Sequence, residues 1–366
     1  MGRRAAWRRP EPGHFITPPP GVCNPRAGRA TPVARRAPEQ SRLAGGCGEG
    51  TRERPAGPAL LQLSMTNIRM IGVPLDFGAS RRGVEMGPAA LRIAEMAESL
   101  RNIGHRVTDV GDITVPQRAT IPLEVAGRGF LPLITKVCEQ LAEETADAVA
   151  EGEVPLVLGG DHSLVAGSFA GAARHFRARG ERLGCIYLDT HGDLHTPETS
   201  LTGNVHGMPL AHLLGHGDER FRTIAGREPA LSARDLALVG IRDLDEPERE
   251  AVRAWGVTCF TMRDIDELGL REVMRRAIAV ATASTDRLWV SCDMDWVDPK
   301  DAPGVGTPVR GGATYREAHL AMEMLCDTGK LVGLDVVETN PILDERNRTA
   351  ELAVQLAKSA FGHRII

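Results

Sequence analysis

The chain has 366 residues, 42% of them hydrophobic and 25% charged, with a formal net charge of −4 at pH 7. That supplies a sizeable core, and the mildly acidic balance gives no support to nucleic-acid binding. No apolar run is long enough to cross a membrane, no secretory signal is visible, and seven cysteines without a C-x-x-C pair fit a reducing, cytoplasmic setting rather than a disulfide framework.

Residues 1–64 stand apart. They hold eleven Arg, no Lys, four Glu and ten Pro, a net +7 that leaves −11 for residues 65–366. No helical or strand period survives there, so a disordered extension is expected. A nucleic-acid arm would want stacking aromatics and lysines, and a transit peptide would want serines, of which only Ser41 and Ser64 occur. The reading adopted is an extended or misassigned start, with a natural start at Met65 and a catalytic domain over 65–366.

From Met65 onward apolar runs alternate with amphipathic stretches. Arg69–Val73 is followed by Pro88–Leu100, and Leu156–Leu158 by Leu164–Arg177. Leu236–Ile241 precedes Glu246–Trp255, Arg316–Cys326 precedes Leu331–Val337, and Thr349–Phe361 comes last. Such alternation predicts an α/β fold with parallel strands and covering helices.

Three of the apolar runs end in metal-capable side chains. Val154–Leu158 runs into Gly159-Gly160-Asp161-His162-Ser163, and Cys185–Leu188 into Asp189-Thr190-His191-Gly192-Asp193. Leu288–Cys292 runs into Asp293-Met294-Asp295. In extended backbone, positions i, i+2 and i+4 share a face, so Asp189, His191 and Asp193 are expected to converge at a strand's carboxyl end. Open α/β sheets bind ligands at such ends, and a cation removes the cost of burying so many carboxylates. His162, Asp189, His191, Asp193, Asp293 and Asp295 offer two imidazoles, four carboxylates and no thiolate, too many for one tetrahedral ion. Two divalent ions sharing carboxylates is the economical reading. Manganese fits this donor set; cobalt, nickel and iron would bind as well or better by intrinsic affinity.

At these residues the chain resembles the ureohydrolases, the arginase and agmatinase family. The likeness continues through Asp298-Pro299, Gly304-Val305-Gly306-Thr307-Pro308, Gly311-Gly312-Ala313-Thr314-Tyr315-Arg316-Glu317 and Glu338-Thr339-Asn340-Pro341. The resemblance implies a three-layer α/β/α sandwich around an eight-stranded, mostly parallel sheet, two Mn2+ per subunit, and a homotrimer or homohexamer. His162, Asp189, Asp193 and Asp293 would hold one ion, and His191, Asp189, Asp293 and Asp295 the other, with Asp189 and Asp293 bridging. A bridging hydroxide would attack the guanidino carbon. Asp193 would relay a proton, His206 would act as proton shuttle, and Glu338 would orient the guanidinium.

Two segments are similar to arginases in particular. Thr196–Gly207 resembles the loop that receives the amino-acid end of the substrate, which would set Ser200, Thr202 and Asn204 toward the α-carboxylate. Arg242–Glu248 resembles the segment whose acids, here Asp245 and Glu248, would meet the α-ammonium; on their own these read equally as acids in the first turn of a helix. Thr307 joins this set. The implied reaction is L-arginine to L-ornithine and urea, with agmatinase or guanidinobutyrase as the alternative. A deacetylase-type hydrolase would ordinarily use one zinc, and a metal-stabilised binding protein would not need every ligand position filled. One residue departs from the pattern: His195 stands where arginases commonly have Asn. It reads either as a solvent-facing loop residue or as an imidazole donor to the α-carboxylate.

Overall fold

Short, strongly apolar runs become the inner strands of one sheet, because a strand buried on both faces has no reason to alternate polar and apolar residues. The computed structural model describes residues 65–122 and 130–364, so the expected extension over residues 1–64 lies outside the described residues. Eight strands form among the described residues: β1 Asn67–Val73, β2 Arg106–Asp112, β3 Val154–Gly159, β4 Gly184–Leu188, β5 Leu236–Ile241, β6 Thr258–Thr261, β7 Leu288–Asp293 and β8 Leu331–Val337. They pair in the order β2-β1-β3-β8-β7-β4-β5-β6, every pair parallel. The expected mostly parallel sheet of eight strands is thus present and parallel throughout.

Strand pleating sorts the core into two layers. Ile186 and Leu188 of β4, with Val290 and Cys292 of β7, pack against one set of helices that includes Leu270–Ala281, Tyr315–Asp327 and Arg348–Ala360. Cys185, Tyr187 and Trp289 point the other way, into a core shared with helix Val165–Ala178. Val157 and Val73 face the same side with helix Leu131–Ala150. The result is the three-layer α/β/α arrangement. Helix Glu246–Trp255 and strands β5 and β8 have the bounds expected from the sequence.

Other elements differ. The stretch Pro88–Leu100 is two helices, Gly87–Ile93 and Met96–Arg101, because Glu95 takes a left-handed conformation (φ 63°) between them. The edge strands β2 and β6 have no counterpart among the expected elements: β2 is mostly exposed and charged, and β6 is four half-buried residues. Helix Leu131–Ala150 and the pair Met262–Leu268 and Leu270–Ala281 are likewise additional to them. No helix among the described residues is long and apolar enough to cross a membrane, and the five described cysteines are unpaired.

The topology places the site. The four central strands of the sheet are β3, β8, β7 and β4, and these are the strands whose carboxyl ends lead into His162, Glu338, Asp293 and Asp189. Register aligns Leu188 with Cys292 and Asp293 with Val337, so the ends finish at one level.

Candidate metal centre and substrate cleft

One local device recurs at three strand ends. Asp189 Oδ1 accepts the His191 N–H at 2.6 Å, Asp293 Oδ1 accepts the Asp295 N–H at 2.7 Å, and Asp161 Oδ1 accepts the Ser163 N–H at 3.1 Å. An aspartate that bonds the backbone two residues on turns the chain out of the strand. For Asp189 and Asp293 the turn occupies one oxygen and leaves the other beside His162 Nδ1. The three-residue convergence expected from strand pleating is therefore reached another way: β4 ends at Leu188, the triplet lies in irregular backbone, and Asp193 sits at φ 52°.

Within this frame His162 Nδ1 lies 3.0 Å from Asp189 Oδ2, 3.4 Å from Asp193 Oδ2 and 3.2 Å from Asp293 Oδ2. His191 Nδ1 lies 3.5 Å from Asp189 Oδ1 and 3.1 Å from Asp295 Oδ2. His162, Asp189 and Asp293 form one group able to hold an ion, and Asp189, His191 and Asp295 form a second, joined through Asp189. All six are buried except His191, which is partly open to the cleft.

The electrostatics ask for cations. Burial, then the Asp189 charge, pushes Asp193 up to about 8. Burial followed by Asp295 and Asp189 holds Asp293 well above the usual carboxylate range. Burial works against a charged His162, but the Asp189 and Asp293 carboxylates beside it outweigh burial and raise the imidazole. Without ions the cluster retains protons where metal ligands must be deprotonated. The buried atoms His162 Nδ1 and Asp189 Oδ2 have no hydrogen-bond partner, as expected for atoms shaped to face a metal rather than a donor. The residues present fit a pair of divalent ions.

Supporting groups that the sequence did not single out brace the ligands. The Tyr187 hydroxyl donates to Asp193 Oδ2 at 2.6 Å, and its ring stacks on His162 with centroids 4.4 Å apart. His162 Nε2 is 2.8 Å from Ser291 Oγ. A hydroxyl inside the otherwise apolar run Leu288–Cys292 was the available signal. Glu338, at φ 61°, accepts the His162 N–H at 2.9 Å through Oε1, and the same oxygen is 3.0 Å from His206 Nδ1. Burial opposes charge on His206, but Glu338 outweighs it and lifts the imidazole to about 9.

Two adjoining cavities open over the centre. One, of about 290 Å³, is lined by ligand residues together with His195, Ser200, Thr202, Asn204, Asp245, Glu248 and Thr307. The other, of about 460 Å³, reaches Glu338 and shares His191, Asn204, His206 and Thr307 with the first. Thr307 Oγ1 donates to Asp295 Oδ2 at 3.0 Å. In the loop, Ser200 Oγ accepts the Gly203 N–H, Thr202 Oγ1 accepts the Asn204 N–H, and Asn204 Oδ1 accepts from Ser80. His195 is not turned to solvent: Nδ1 is 3.1 Å from Thr199 Oγ1, and Nε2 is 3.2 Å from Asp245 Oδ2 and 4.0 Å from Glu248 Oε2.

Known proteins resemble the chain over the part that carries this site. The model of the arginase family matches residues 66–362. The arginase of Brevibacillus brevis is 46% identical over 302 residues, spanning 82% of this chain and 99% of that protein. Among solved structures, native Bacillus caldovelox arginase at pH 5.6 is 45% identical with a TM-score of 0.79, covering 82% of this chain and all of that one. The Entamoeba histolytica arginase in complex with L-ornithine is 30% identical with a TM-score of 0.75, covering 82% of this chain and 99% of that one.

Proposed function

The chain belongs to the arginase family of hydrolases, and on that premise we propose that it cleaves L-arginine to L-ornithine and urea with two Mn2+ bound per subunit. The observation that carries the reading is the pair of His/carboxylate groups joined through Asp189 at the centre of the sheet. His162, Asp189, Asp193 and Asp293 would hold one ion and His191, Asp189, Asp293 and Asp295 the other. Bound there, the ions would neutralise the carboxylates and bring the pKa of a shared water toward neutrality.

The protein's own groups do the rest. Glu338 commits Oε1 to the His162 N–H and His206, while Oε2 lies on the Gly306 side, so the free oxygen can pair with a guanidinium. That pairing holds the planar cation in one orientation over the ligands. Asp193, braced by Tyr187, accepts a proton beside the reacting carbon. His206, half in the cavity and tethered to Glu338, carries protons between the cleft and solvent, and the departing amine leaves protonated.

The amino-acid end would lie in the smaller cavity, its ammonium at Asp245 and Glu248 and its carboxylate toward Ser200, Thr202 and Asn204. His195 stands on Asp245 where that ammonium would go. Substrate binding then exchanges partners: the ammonium takes Asp245, and the released imidazole turns to the carboxylate. A second reading is agmatine hydrolysis, because an imidazole held at Asp245 is not committed to a carboxylate, the group agmatine lacks. A urea-release assay across arginine, agmatine and guanidinobutyrate separates the two. His195→Ala should raise KM for arginine by the equivalent of about 1.5–3 kcal/mol and leave agmatine nearly unchanged. Equal effects on both substrates would remove His195 from carboxylate recognition, and a wild-type preference for agmatine would overturn the arginine assignment.

A further inference from the structure

Asp335 is a buried carboxylate that none of the steps above uses. It sits on β8 with no exposure, in the apolar run Leu331–Val337, directly across the register from Ser291 on β7. Its Oδ2 accepts the Trp289 Nε1–H at 2.7 Å. Its Oδ1 is buried without a hydrogen-bond partner, and the Ser168 and Ser291 side chains are among the polar groups that act on this carboxylate. A buried carboxylate survives only if its lone pairs are taken up, so this one has a partner to find.

Donor and acceptor accounting supplies it. His162 Nδ1 faces three carboxylate oxygens at 3.0, 3.4 and 3.2 Å, the position of a metal-binding nitrogen. A nitrogen that binds an ion presents its lone pair, so the ring proton must be on Nε2, which is 2.8 Å from Ser291 Oγ. Ser291 therefore accepts from His162 and has its own proton to give. Across the strand pair, in register with Ser291, Asp335 Oδ1 is an acceptor without a partner. We propose that Asp335 is a positioning residue for the metal centre, fixing through Ser291 the His162 tautomer that turns the Nδ1 lone pair toward the carboxylates. The proposal rests on the two-ion reading. It extends the support of the centre from the strand end into the sheet, where Trp289 closes the column by occupying the other carboxylate oxygen.

An isosteric change tests the direction of the chain. In Asp335→Asn the carbonyl must still accept from Trp289, which leaves the NH2 group facing Ser291. Ser291 then gives its proton to His162 Nε2 and forces the wrong tautomer. With Mn2+ titrated against a competing chelator, wild-type protein should bind two ions. Asp335→Asn should lose ~10–100-fold in affinity at one site, and the site served by His191 should keep its affinity. Ser291→Ala should show the same loss, Ser291→Thr should not, and the double variant Ser291→Ala/Asp335→Asn should be no worse than either single change. Melting in excess chelator reports any purely structural cost separately. Wild-type protein that binds no ion would defeat the metal reading itself. Wild-type binding of two ions with unchanged affinities in Asp335→Asn, or losses that add in the double variant, would overturn the role of Asp335 alone. If Asp335→Asn does not fold, Ser291→Ala binding both ions as tightly as wild type would overturn that role equally.

Discussion

Two of the six described non-glycine residues with positive φ, Asp193 and Glu338, lie in the cleft. Each such conformation costs on the order of 1–3 kcal/mol and persists where the surroundings over-determine it. Here the Tyr187 hydroxyl holds Asp193, while the His162 N–H and the His206 ring hold Glu338. The identities of the ligands were legible because Asp and His after apolar runs are unusual; the way they converge was not, since backbone turns made by the aspartates themselves replace the pleat. A different buried residue gives a pH prediction away from the centre. His212 has both ring nitrogens without partners and stacks on Phe221 with centroids 4.5 Å apart. Burial holds its imidazole down to about 4, so the folded state binds this proton less readily than the unfolded chain. Its stabilisation is fully present above about pH 6.5 and is lost as pH falls toward 4, a swing of roughly 3 kcal/mol. Denaturant titrations should show wild-type stability falling more steeply than that of His212→Phe across this window. Parallel curves would show that His212 is protonated in the folded protein.

At the scale of elements, the inner strands were readable and the edges were not. β5 is an unbroken apolar run and β8 is apolar but for Asp335, whereas Arg106–Asp112 carries charges because an edge strand faces water and a charged edge resists further pairing. The break at Glu95 left no mark in the apolar periodicity, since a single left-handed residue changes direction without changing composition. Close packing between strands is also invisible in a one-dimensional pattern. A Cβ on Gly333 of β8 would lie 2.1 Å from the Trp289 ring, the residue that braces Asp335. Gly333→Ala should therefore cost about 1–3 kcal/mol in chemical denaturation, the usual range for an overpacked core. A variant as stable as wild type would mean that the Trp289 ring shifts freely, and the column to Asp335 would not be rigid.

At the scale of the molecule, strand order does what sequence order hides. The residues of the centre come from strands separated by up to 176 positions, as in the His162–Glu338 contact, yet those strands are the four neighbours at the middle of the sheet. Motif order alone gave the family resemblance, but adjacency needed the crossover topology. Residues 1–64 are proposed to be dispensable: a chain beginning at Met65 should keep its urea release and form the same trimer or hexamer by light scattering. An inactive or monomeric truncation would refute this. Urea release from L-arginine by chelator-stripped protein titrated with Mn2+ tests whether the chain is a two-ion guanidino hydrolase. A two-ion centre predicts no activity in the stripped protein and a rise that levels off at about two ions per chain. Full activity with one tightly bound zinc per chain, and no gain on adding Mn2+, would contradict it.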